Sequence, residues 1–378
     1  MGSNFHSAQP MAFAAAPIEL SVVVPTFKEA GNVTQLVDLL EVALQGIRWE
    51  VIFVDDDSPD DTAELVRQLA QQRDNVRCVQ RIGRRGLTSA CVEGILASAS
   101  PIVAVMDGDL QHDEGVLPEM FKRLNADAHL EIVVGSRYVQ GGSVGDWDAT
   151  RASISTLATR LSHLVVPRGL QDPMSGFFMI RRSAFMACVR NMSAMGFKIL
   201  VDLFASSPKS LNFVEVPFKF RTRHTGESKL DTQVAWDYLM LLIDKTLGRY
   251  VPARFVSFAI IGGAGVIVHM SILMATFGAG LLAFGAGQAM ATVLAMTFNF
   301  AVNNFITYSD RRLKGRKWFM GLLSFMLACS VGAVANVGVA NFLFVREGAW
   351  VLAALAGIGV GAVWNYALTS VYTWGRRG

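Results

Sequence analysis

The chain has 378 residues, a formal net charge of +3 and four cysteines, and its length is sufficient for two or three domains. The cysteines show neither a paired nor a metal-type spacing, which suits a reducing compartment. Basic residues concentrate beside apolar segments, where anionic lipid is a nearer partner than nucleic acid, so no nucleic-acid partner is predicted.

The N-terminal half alternates between strand and helix patterns. Residues 1–17 lack a basic segment before an apolar core and are predicted to be a disordered tail rather than a signal peptide. The predicted strands are Ile18–Val24, Trp49–Val54, Val76–Gln80 and Ile102–Met106. The predicted helices are Asn32–Gln45, one starting near Thr62 with Ser58 or Asp60 as cap, and Thr88–Ala99. This alternation predicts a parallel sheet that binds ligands at the carboxyl ends of its strands.

Three of these strands end in turns that carry proline or acidic residues, at Pro25, Asp55–Asp57 and Asp107. Since the carboxyl ends of parallel strands share one edge of a sheet, the three turns are expected to converge on one crevice. There Asp56 is well placed to accept hydrogen bonds from a nucleoside base or ribose. The alternative for Asp55–Asp57 is a solvated turn, and its register with Asp107 favours the binding site.

The segment Val103–Glu114, VAVMDGDLQHDE, places two aspartates one residue apart after an apolar run. Period-two geometry predicts that Asp107 and Asp109 point to the same side at the end of this strand. Carboxylates held that close repel each other unless a positive charge lies between them, and a hard divalent cation bridging a diphosphate meets that need. A surface turn with acidic residues is the alternative interpretation.

Beyond Tyr250 the composition changes sharply. Charged residues are absent from Phe255–Ser309, Trp318–Val345 and Ala349–Gly375. Because a helix needs about 20 apolar residues to cross a bilayer, four spans are predicted. They are Arg254–Phe277, Leu281–Thr307, Trp318–Phe344 and Trp350–Trp374. No internal repeat is evident.

The distribution of basic residues predicts the orientation of these spans. The link Asp310–Lys317 reads DRRLKGRK and the C-terminus reads GRRG, so the positive-inside rule predicts cytoplasmic termini and a cytoplasmic N-terminal domain. The preceding segment, Val234–Leu247, is either a core helix or an interfacial helix, and its position favours the latter. Its apolar face would comprise Trp236, Leu239, Met240, Ile243 and Leu247. The predicted domains are therefore 18–232, an interfacial helix at 233–250, and 251–378.

Six segments within Ile18–Leu230 resemble, in order, the polyprenol-phosphate sugar synthases, inverting glycosyltransferases of the dolichol-phosphate mannose synthase type. They are VVVPTFKEAGNV, VDDDSPDDT, MDGDLQHDE, GSRYVQGG, DPMSGFF and RTRHTGESKL. The resemblance implies an α/β GT-A domain, a nucleotide-diphospho-sugar transferase of Rossmann-like type, with Mg²⁺ or Mn²⁺ as cofactor. The apolar half resembles the flippase-like domain fused to some members, an all-α four-helix transmembrane domain that offers a surface for homo-oligomer formation.

The resemblance assigns roles to residues of this chain by position. For the donor nucleotide sugar it implies Pro25, Phe27, Glu29, Val54, Asp56, Asp107, Gly108, Asp109, Gln111, Lys198, Arg223 and Lys229. For the metal it implies Asp107, Asp109 and Gln111, and for the acceptor phosphate Arg137, Arg223 and Lys229. Arg151 is added to the acceptor-phosphate residues because its guanidinium is suited to binding phosphate. The expected catalytic residues are Asp109, Arg137, Asp172 and Arg223.

The chemistry of a lipid-phosphate acceptor is consistent with these roles. Its phosphate is already anionic at neutral pH and needs cations rather than a strong base, and guanidinium groups bind phosphate in bidentate fashion. Asp172 is therefore expected to orient the acceptor side or the arginines, not to abstract a proton. A surface ion pair is the alternative role for Arg151. His112 is either a support of the metal site or a structural residue.

The sequence departs from the family pattern at three places. Phe27 stands where tyrosine is frequent, Arg85 and Thr88 stand where leucine or lysine and glycine are common, and Asp-Gly-Asp replaces Asp-Ala-Asp. The motif set favours GDP-mannose as donor and polyprenyl phosphate as acceptor, with UDP-glucose or another UDP-sugar as the alternative donor. No residue is identified that distinguishes guanine from uracil.

Two other functional classes are alternatives to a sugar transferase. In a lipid-linked sugar flippase or scaffold, the first half would be a degenerate donor-binding module, but the intact DGD, Gln111 and basic residues argue against degeneracy. In a processive polysaccharide synthase, a QxxRW-type motif at the membrane and more than four spans would be expected.

Overall fold

The computed structural model describes residues 17–145, 149–194, 196–221, 232–248, 250–347 and 350–375. The chain divides into two compact units, Met1–Thr246 and Leu247–Gly378. The division coincides closely with the change in composition after Tyr250.

A seven-stranded mixed sheet forms the centre of the first unit. Its strands are β1 (Leu20–Thr26), β2 (Trp49–Asp55), β3 (Val76–Gln80), β4 (Ile102–Val105), β5 (Ile132–Ser136), β6 (Phe178–Arg181) and β7 (Phe213–Pro217). Their order is β3-β2-β1-β4-β6-β5-β7. The first four strands are parallel as predicted, but β6 runs antiparallel to both of its neighbours. The chain returns to the sheet from the carboxyl edge, where the Ser175 hydroxyl donates to the Gly135 carbonyl of β5.

Eight α-helices among the described residues of this unit accompany the sheet. They are α1 (Ala30–Ala43), α2 (Thr62–Ala70), α3 (Leu87–Ala97), α4 (Leu117–Ala126), α5 (Ala149–Ser162), α6 (Arg182–Cys188), α7 (Ile199–Ser206) and α8 (Thr232–Leu247). Val22 and Val24 pack in one core with α1, α2 and α4. Val23 points to the other face and packs with α3, α7 and α8. Both faces are therefore covered, which explains the continuous apolar runs of β1 and β2.

The helix α8 is part of the first unit rather than a separate segment. Lys245 lies 2.7 Å from Asp202 of α7 in a buried ion pair, and Leu241 and Leu242 are buried in the core. On the face predicted to be apolar, Leu239 and Leu247 remain 40% and 50% exposed. One face of α8 is therefore a core face, and the exposed face is the one available for the interfacial role.

Four long helices form most of the second unit. They are α9 (Ala253–Leu273), α10 (Phe284–Phe305), α11 (Arg316–Glu347) and α12 (Trp350–Leu368), close to the four predicted spans. In the part of the chain that the structure describes, Ala253–Gly278 is the helical stretch long and apolar enough to cross a membrane. Large apolar side chains such as Ile267 and Met274 are mostly exposed, at 69% and 77%.

The second unit consists of two helical hairpins, α9–α10 and α11–α12, whose contacts correspond. In the first, the hydroxyls of Ser257 and Thr307 are 2.6 Å apart. In the second, those of Ser324 and Thr373 are 3.1 Å apart. Each hydrogen bond joins the start of the first helix to the end of the second.

A second set of contacts also recurs. Gly265 of α9 packs so closely on Asn299 of α10 that any side chain would collide, and Gly332 packs on Asn365 in the same way. Corresponding aromatic rings stack on one another, with Tyr308 and Trp374 at 4.1 Å between centroids. The second unit is therefore built from two similar hairpins, a repeat that does not stand out in the sequence. The repeat is difficult to see in the sequence because its few matching residues lie among interchangeable apolar ones.

Candidate active site

The carboxyl ends of β1, β2 and β4 form the predicted crevice. Thr26 of β1 is the register partner of Asp55 in β2, and the Asp56 amide donates to the Thr26 carbonyl at 3.0 Å. A side chain at Gly108 would lie 3.3 Å from that of Thr26, so the turn after β4 packs over the end of β1. Residues following three neighbouring strands thus meet at one point, where the sheet order reverses.

The Asp-Gly-Asp segment is a turn and not the end of a strand. Strand β4 stops at Val105, and Leu110 adopts the left-handed conformation with a φ of 63°. The period-two argument for placing Asp107 and Asp109 on one side therefore does not apply. Asp109 is 5% exposed, and its Oδ1 accepts a hydrogen bond from the Gln111 amide, whereas the side chain of Asp107 is 35% exposed.

Contacts from two directions brace this turn. The Asp107 amide donates to Nδ1 of His112 at 3.0 Å, so a neutral ring carries its proton on Nε2, which lies 3.8 Å from Asp107 Oδ2. The ring stacks on Phe177 with centroids 5.1 Å apart. On the other side, Nε2 of Gln111 donates to the Arg221 carbonyl at 3.0 Å. His112 therefore has a structural role in this turn, and the bond from Gln111 Nε2 leaves the side-chain oxygen of Gln111 as the atom with which a cation could be held.

The donor set of this turn fits a hard divalent cation. Asp107 and Asp109 offer oxygen ligands, and Gly176 leaves space beside Asp107, because an added Cβ would lie 3.4 Å from its Oδ2. Mg²⁺ commonly binds through one or two carboxylates and completes its shell with substrate phosphates and water. Such a site does not require a cluster of protein ligands, and among the described residues no group of three or more His, Cys, Asp and Glu is arranged to hold a metal.

The three aspartates after β2 have different environments. Asp55 is fully buried and accepts from the Ser58 hydroxyl and amide, which is a structural role. Asp57 accepts from Gln80 at the exposed surface. Asp56 alone lies at the crevice with its carboxylate held on both sides, so the solvated-turn alternative does not describe it.

Arg81 holds the Asp56 carboxylate and was not identified from the sequence. It is 1% exposed, and its Nε and Nη2 lie 2.7 and 2.6 Å from Asp56 Oδ1. The Gly86 amide donates to the other oxygen at 2.7 Å. A carboxylate has about four lone-pair sites, and three are engaged here, which leaves Oδ2 able to accept one more bond. The first of three arginines directly after a strand was the signal available in the sequence.

A second buried ion pair joins two of the predicted catalytic residues. Arg137 donates through Nε and Nη2 to the carboxylate of Asp172 at 2.8 and 2.7 Å, and its backbone amide donates to the same group. Asp172 is fully buried. Burial lowers the pKa of Arg137, but the hydrogen bonds to Asp172 and the negative charges of Asp172 and Asp107 raise it, and the net effect is a pKa above the ordinary value for arginine. The guanidinium is thus permanently charged and fixed in orientation.

The remaining predicted donor residues lie around the crevice with different accessibility. Pro25 is at the end of β1, and Glu29 follows it and accepts from Asn32 at 2.7 Å. Lys198 precedes α7, in a loop where the Gly196 carbonyl accepts from the Thr88 amide at the start of α3. The prediction that Val54 lines the nucleotide site is wrong, because its side chain is fully buried in the sheet core.

Three of the predicted phosphate ligands are not placed by the structure. Arg223 and Lys229 lie outside the described residues. Arg151 lies on α5, but its side chain is not among those described. Its role as a ligand of the acceptor phosphate therefore stays a prediction, with a surface ion pair as the alternative.

Comparison with known proteins identifies two domains. Glycosyl transferase family 2 matches residues 21–188, and the GtrA/DPMS transmembrane domain matches residues 257–374. A dolichol-phosphate mannosyltransferase from Pyrococcus furiosus is 32% identical over 94% of this chain and 99% of its own. One from Mycosarcoma maydis is 38% identical over 62% of this chain and 82% of its own.

A solved glucosyl-3-phosphoglycerate synthase from Mycobacterium tuberculosis, in complex with Mn²⁺, UDP and glucosyl-3-phosphoglycerate, resembles 61% of this chain and 80% of that chain. Its sequence identity is 16% and the TM-score is 0.47.

The first unit is a GT-A glycosyltransferase domain and the second is a helical domain of the GtrA/DPMS type, which confirms the predicted fold class. The chain belongs to the dolichol-phosphate mannosyltransferase family. It is therefore a membrane-associated glycosyltransferase.

Proposed function

We propose that this enzyme transfers mannose from GDP-mannose to a polyprenyl phosphate with inversion, aided by Mg²⁺ or Mn²⁺. An acceptor phosphate oxygen forms a bond to the anomeric carbon while the bond from that carbon to the donor's β-phosphate oxygen breaks, and GDP leaves. The acceptor is already ionised, so no proton needs to be removed from it.

The observation that carries this proposal is the juxtaposition of unlike charges at one sheet edge. Asp107 and Asp109 form a turn suited to a cation on the donor diphosphate. The nearby Arg137 is fixed by Asp172 with its charge retained, and the field of Asp107 reaches it. Such an arrangement neutralises two anionic reactants and holds them in position, which is the main catalytic requirement for phosphate nucleophiles. Arg151, Arg223 and Lys229 are proposed to complete the acceptor site.

The identity of the donor nucleotide sugar is the part of the proposal that has a specific alternative. Relatives named dolichol-phosphate mannosyltransferase favour GDP-mannose, and a UDP-sugar is the alternative. The test is transfer by the full-length enzyme with a panel of nucleotide sugars and a short polyprenyl phosphate. We expect product with GDP-mannose at least tenfold faster than with UDP-glucose. Donor binding without transfer from any sugar would instead favour the flippase or scaffold class.

We also propose that α9, α10, α11 and α12 cross the membrane, with the first unit and both termini in the cytoplasm. The support is the GtrA/DPMS match, the exposed apolar side chains of the second unit and the basic link between α10 and α11. A cysteine introduced in that link should be protected from an impermeant thiol reagent in sealed, right-side-out vesicles. Labelling there would contradict the orientation.

If the second unit serves mainly as an anchor, a protein ending at Tyr250 should still bind GDP and metal, because every donor-site residue proposed here precedes that point. It should transfer poorly to long polyprenyl phosphates in bilayers and well to a short soluble analogue, since only the effective concentration of the lipid changes. Truncated and full-length enzymes are compared with both acceptors. Loss of GDP binding on truncation would show that the second unit completes the active site.

A further inference from the structure

Two residues that depart from the family pattern touch each other at the nucleotide end of the crevice. The guanidinium carbon of Arg85 lies 4.4 Å from the centroid of the Phe27 ring. Phe27 is partly buried and directly follows β1, while Arg85 is exposed. Guanidinium groups stack on aromatic faces, and such contacts favour a fixed position for an otherwise mobile side chain. Phe27 thus supports Arg85 at the mouth of the crevice.

The same loop connects this pair to Asp56. Arg85 is followed by Gly86, whose amide donates to Asp56 Oδ2 at 2.7 Å, and Arg81 at the start of the loop binds Oδ1. Gly86 has a φ of 143°, a conformation rarely adopted by residues with side chains. The loop is therefore held at both ends by the carboxylate predicted to contact the base. The cationic side chain of Arg85 thus directly precedes, in the chain, the residue whose amide binds the anionic acceptor Asp56.

These two groups complement the edge of guanine. Its N1–H is a donor that the remaining site on Asp56 Oδ2 can accept, and the adjacent O6 and N7 are acceptors that arginine binds in bidentate fashion. Uracil offers an N–H and a neighbouring carbonyl but has no counterpart of N7. A guanidinium can therefore make two hydrogen bonds to guanine at this place and only one to uracil.

We propose that Arg85, supported by Phe27, is the residue that selects a guanine nucleotide over a uracil nucleotide in this enzyme. The inference rests on the proposed function, since it assumes that the crevice binds the donor nucleotide. It supplies the specificity determinant that the sequence motifs lacked. Arg85 is a specificity residue and takes no part in the transfer step.

The test is calorimetric titration of the full-length protein in detergent with GDP, UDP and 7-deaza-GDP, each with Mg²⁺. For the unaltered enzyme we expect GDP to bind about tenfold more tightly than either of the other two, corresponding to the loss of one good contact. For Arg85→Ala we expect GDP affinity to fall about tenfold, UDP affinity to change less than twofold, and the difference between GDP and 7-deaza-GDP to disappear. Arg85→Lys should behave like the alanine variant, because a point charge cannot make the bidentate contact.

Arg84→Ala is the matched control, because Arg84 is the neighbouring exposed arginine and pairs with Glu93 at 2.7 Å. It should leave the ratio of GDP to UDP affinity unchanged. Equal weakening of GDP and UDP by Arg85→Ala, or an unchanged ratio, would overturn the role of Arg85 while leaving the proposed function intact. Failure of the unaltered enzyme to bind any of the three nucleotides would instead overturn the proposed function.

Discussion

Replacing Asp109 by asparagine should nearly abolish sugar transfer while the protein still folds. The substitution keeps the size of the side chain and an Oδ1 that can accept from the Gln111 amide, so the turn should persist. It removes one of two carboxylates available to a cation on the donor diphosphate. Because even supporting residues of metal sites are worth 10- to 100-fold, we expect a loss of at least roughly 100-fold in kcat/KM.

Transfer assays and thermal unfolding of the same preparations check this prediction. Asp113→Asn is the matched control, because Asp113 lies in the same segment but pairs with Arg221 at 2.9 Å, and it should retain most of the activity. EDTA should silence the unaltered enzyme, and added Mg²⁺ or Mn²⁺ should restore it. Full activity in EDTA would refute the metal assignment.

Loss of the Asp172 carboxylate should have the second largest effect, and it should fall on the acceptor. Asp172→Ala leaves the guanidinium of Arg137 buried without its partner, and breaking a buried pair in this way costs about 3–5 kcal/mol of stability. Asp172→Asn preserves the shape but removes the charge that orients Arg137. For the asparagine variant we expect kcat/KM toward polyprenyl phosphate to fall at least tenfold, since a charge-assisted contact contributes about 1.5–3 kcal/mol. The Kd for GDP should change little.

Steady-state kinetics with varied acceptor, together with GDP titration, separate this positioning role from a general loss of structure. Glu50→Gln provides the comparison, because Glu50 pairs with Arg77 at 2.9 Å at the opposite, amino-terminal edge of the sheet. It should lower stability without a selective effect on the acceptor. If Asp172→Asn changed donor and acceptor kinetics alike, Asp172 would be a purely structural residue.

The sequence predicted β1 to β4 and α1 to α3 of the first unit because strands buried on both faces carry continuous apolar runs, whereas β5, β6, β7 and the helices between them were not predicted. Strand β3 has the predicted bounds, and α1 begins two residues earlier than predicted. The antiparallel direction of β6 could not be predicted, since it depends on long-range pairing with β4 and β5. The same holds for α8, whose burial depends on a distant partner, Asp202.

The residues of the candidate site could be predicted where they lie together in a short sequence motif. They could not be predicted where the fold brings residues together from separate parts of the chain. Asp107 and Asp109 stand out because of their spacing, although the reason given for their common direction was wrong. Arg81 and the contact between Arg85 and Phe27 arise only when a loop after β3 folds back over the ends of β1 and β2. Apart from the position of Arg81 as the first of three arginines after a strand, the side chains that support these motifs from elsewhere in the chain carry no local pattern.

Duplication of a helical hairpin also duplicates the information that orients a chain during membrane insertion. Both ends of a membrane-spanning helical hairpin lie on the same side of the membrane, so a second hairpin in tandem also has both of its ends on that side. One additional helix would instead place the following part of the chain on the opposite side. Arg311 and Arg377 occupy equivalent positions in the sequence of the two repeats, and in the orientation proposed above each would act as a cytoplasmic retention signal. In that orientation, a mutation that weakens the signal in one repeat leaves the signal in the other.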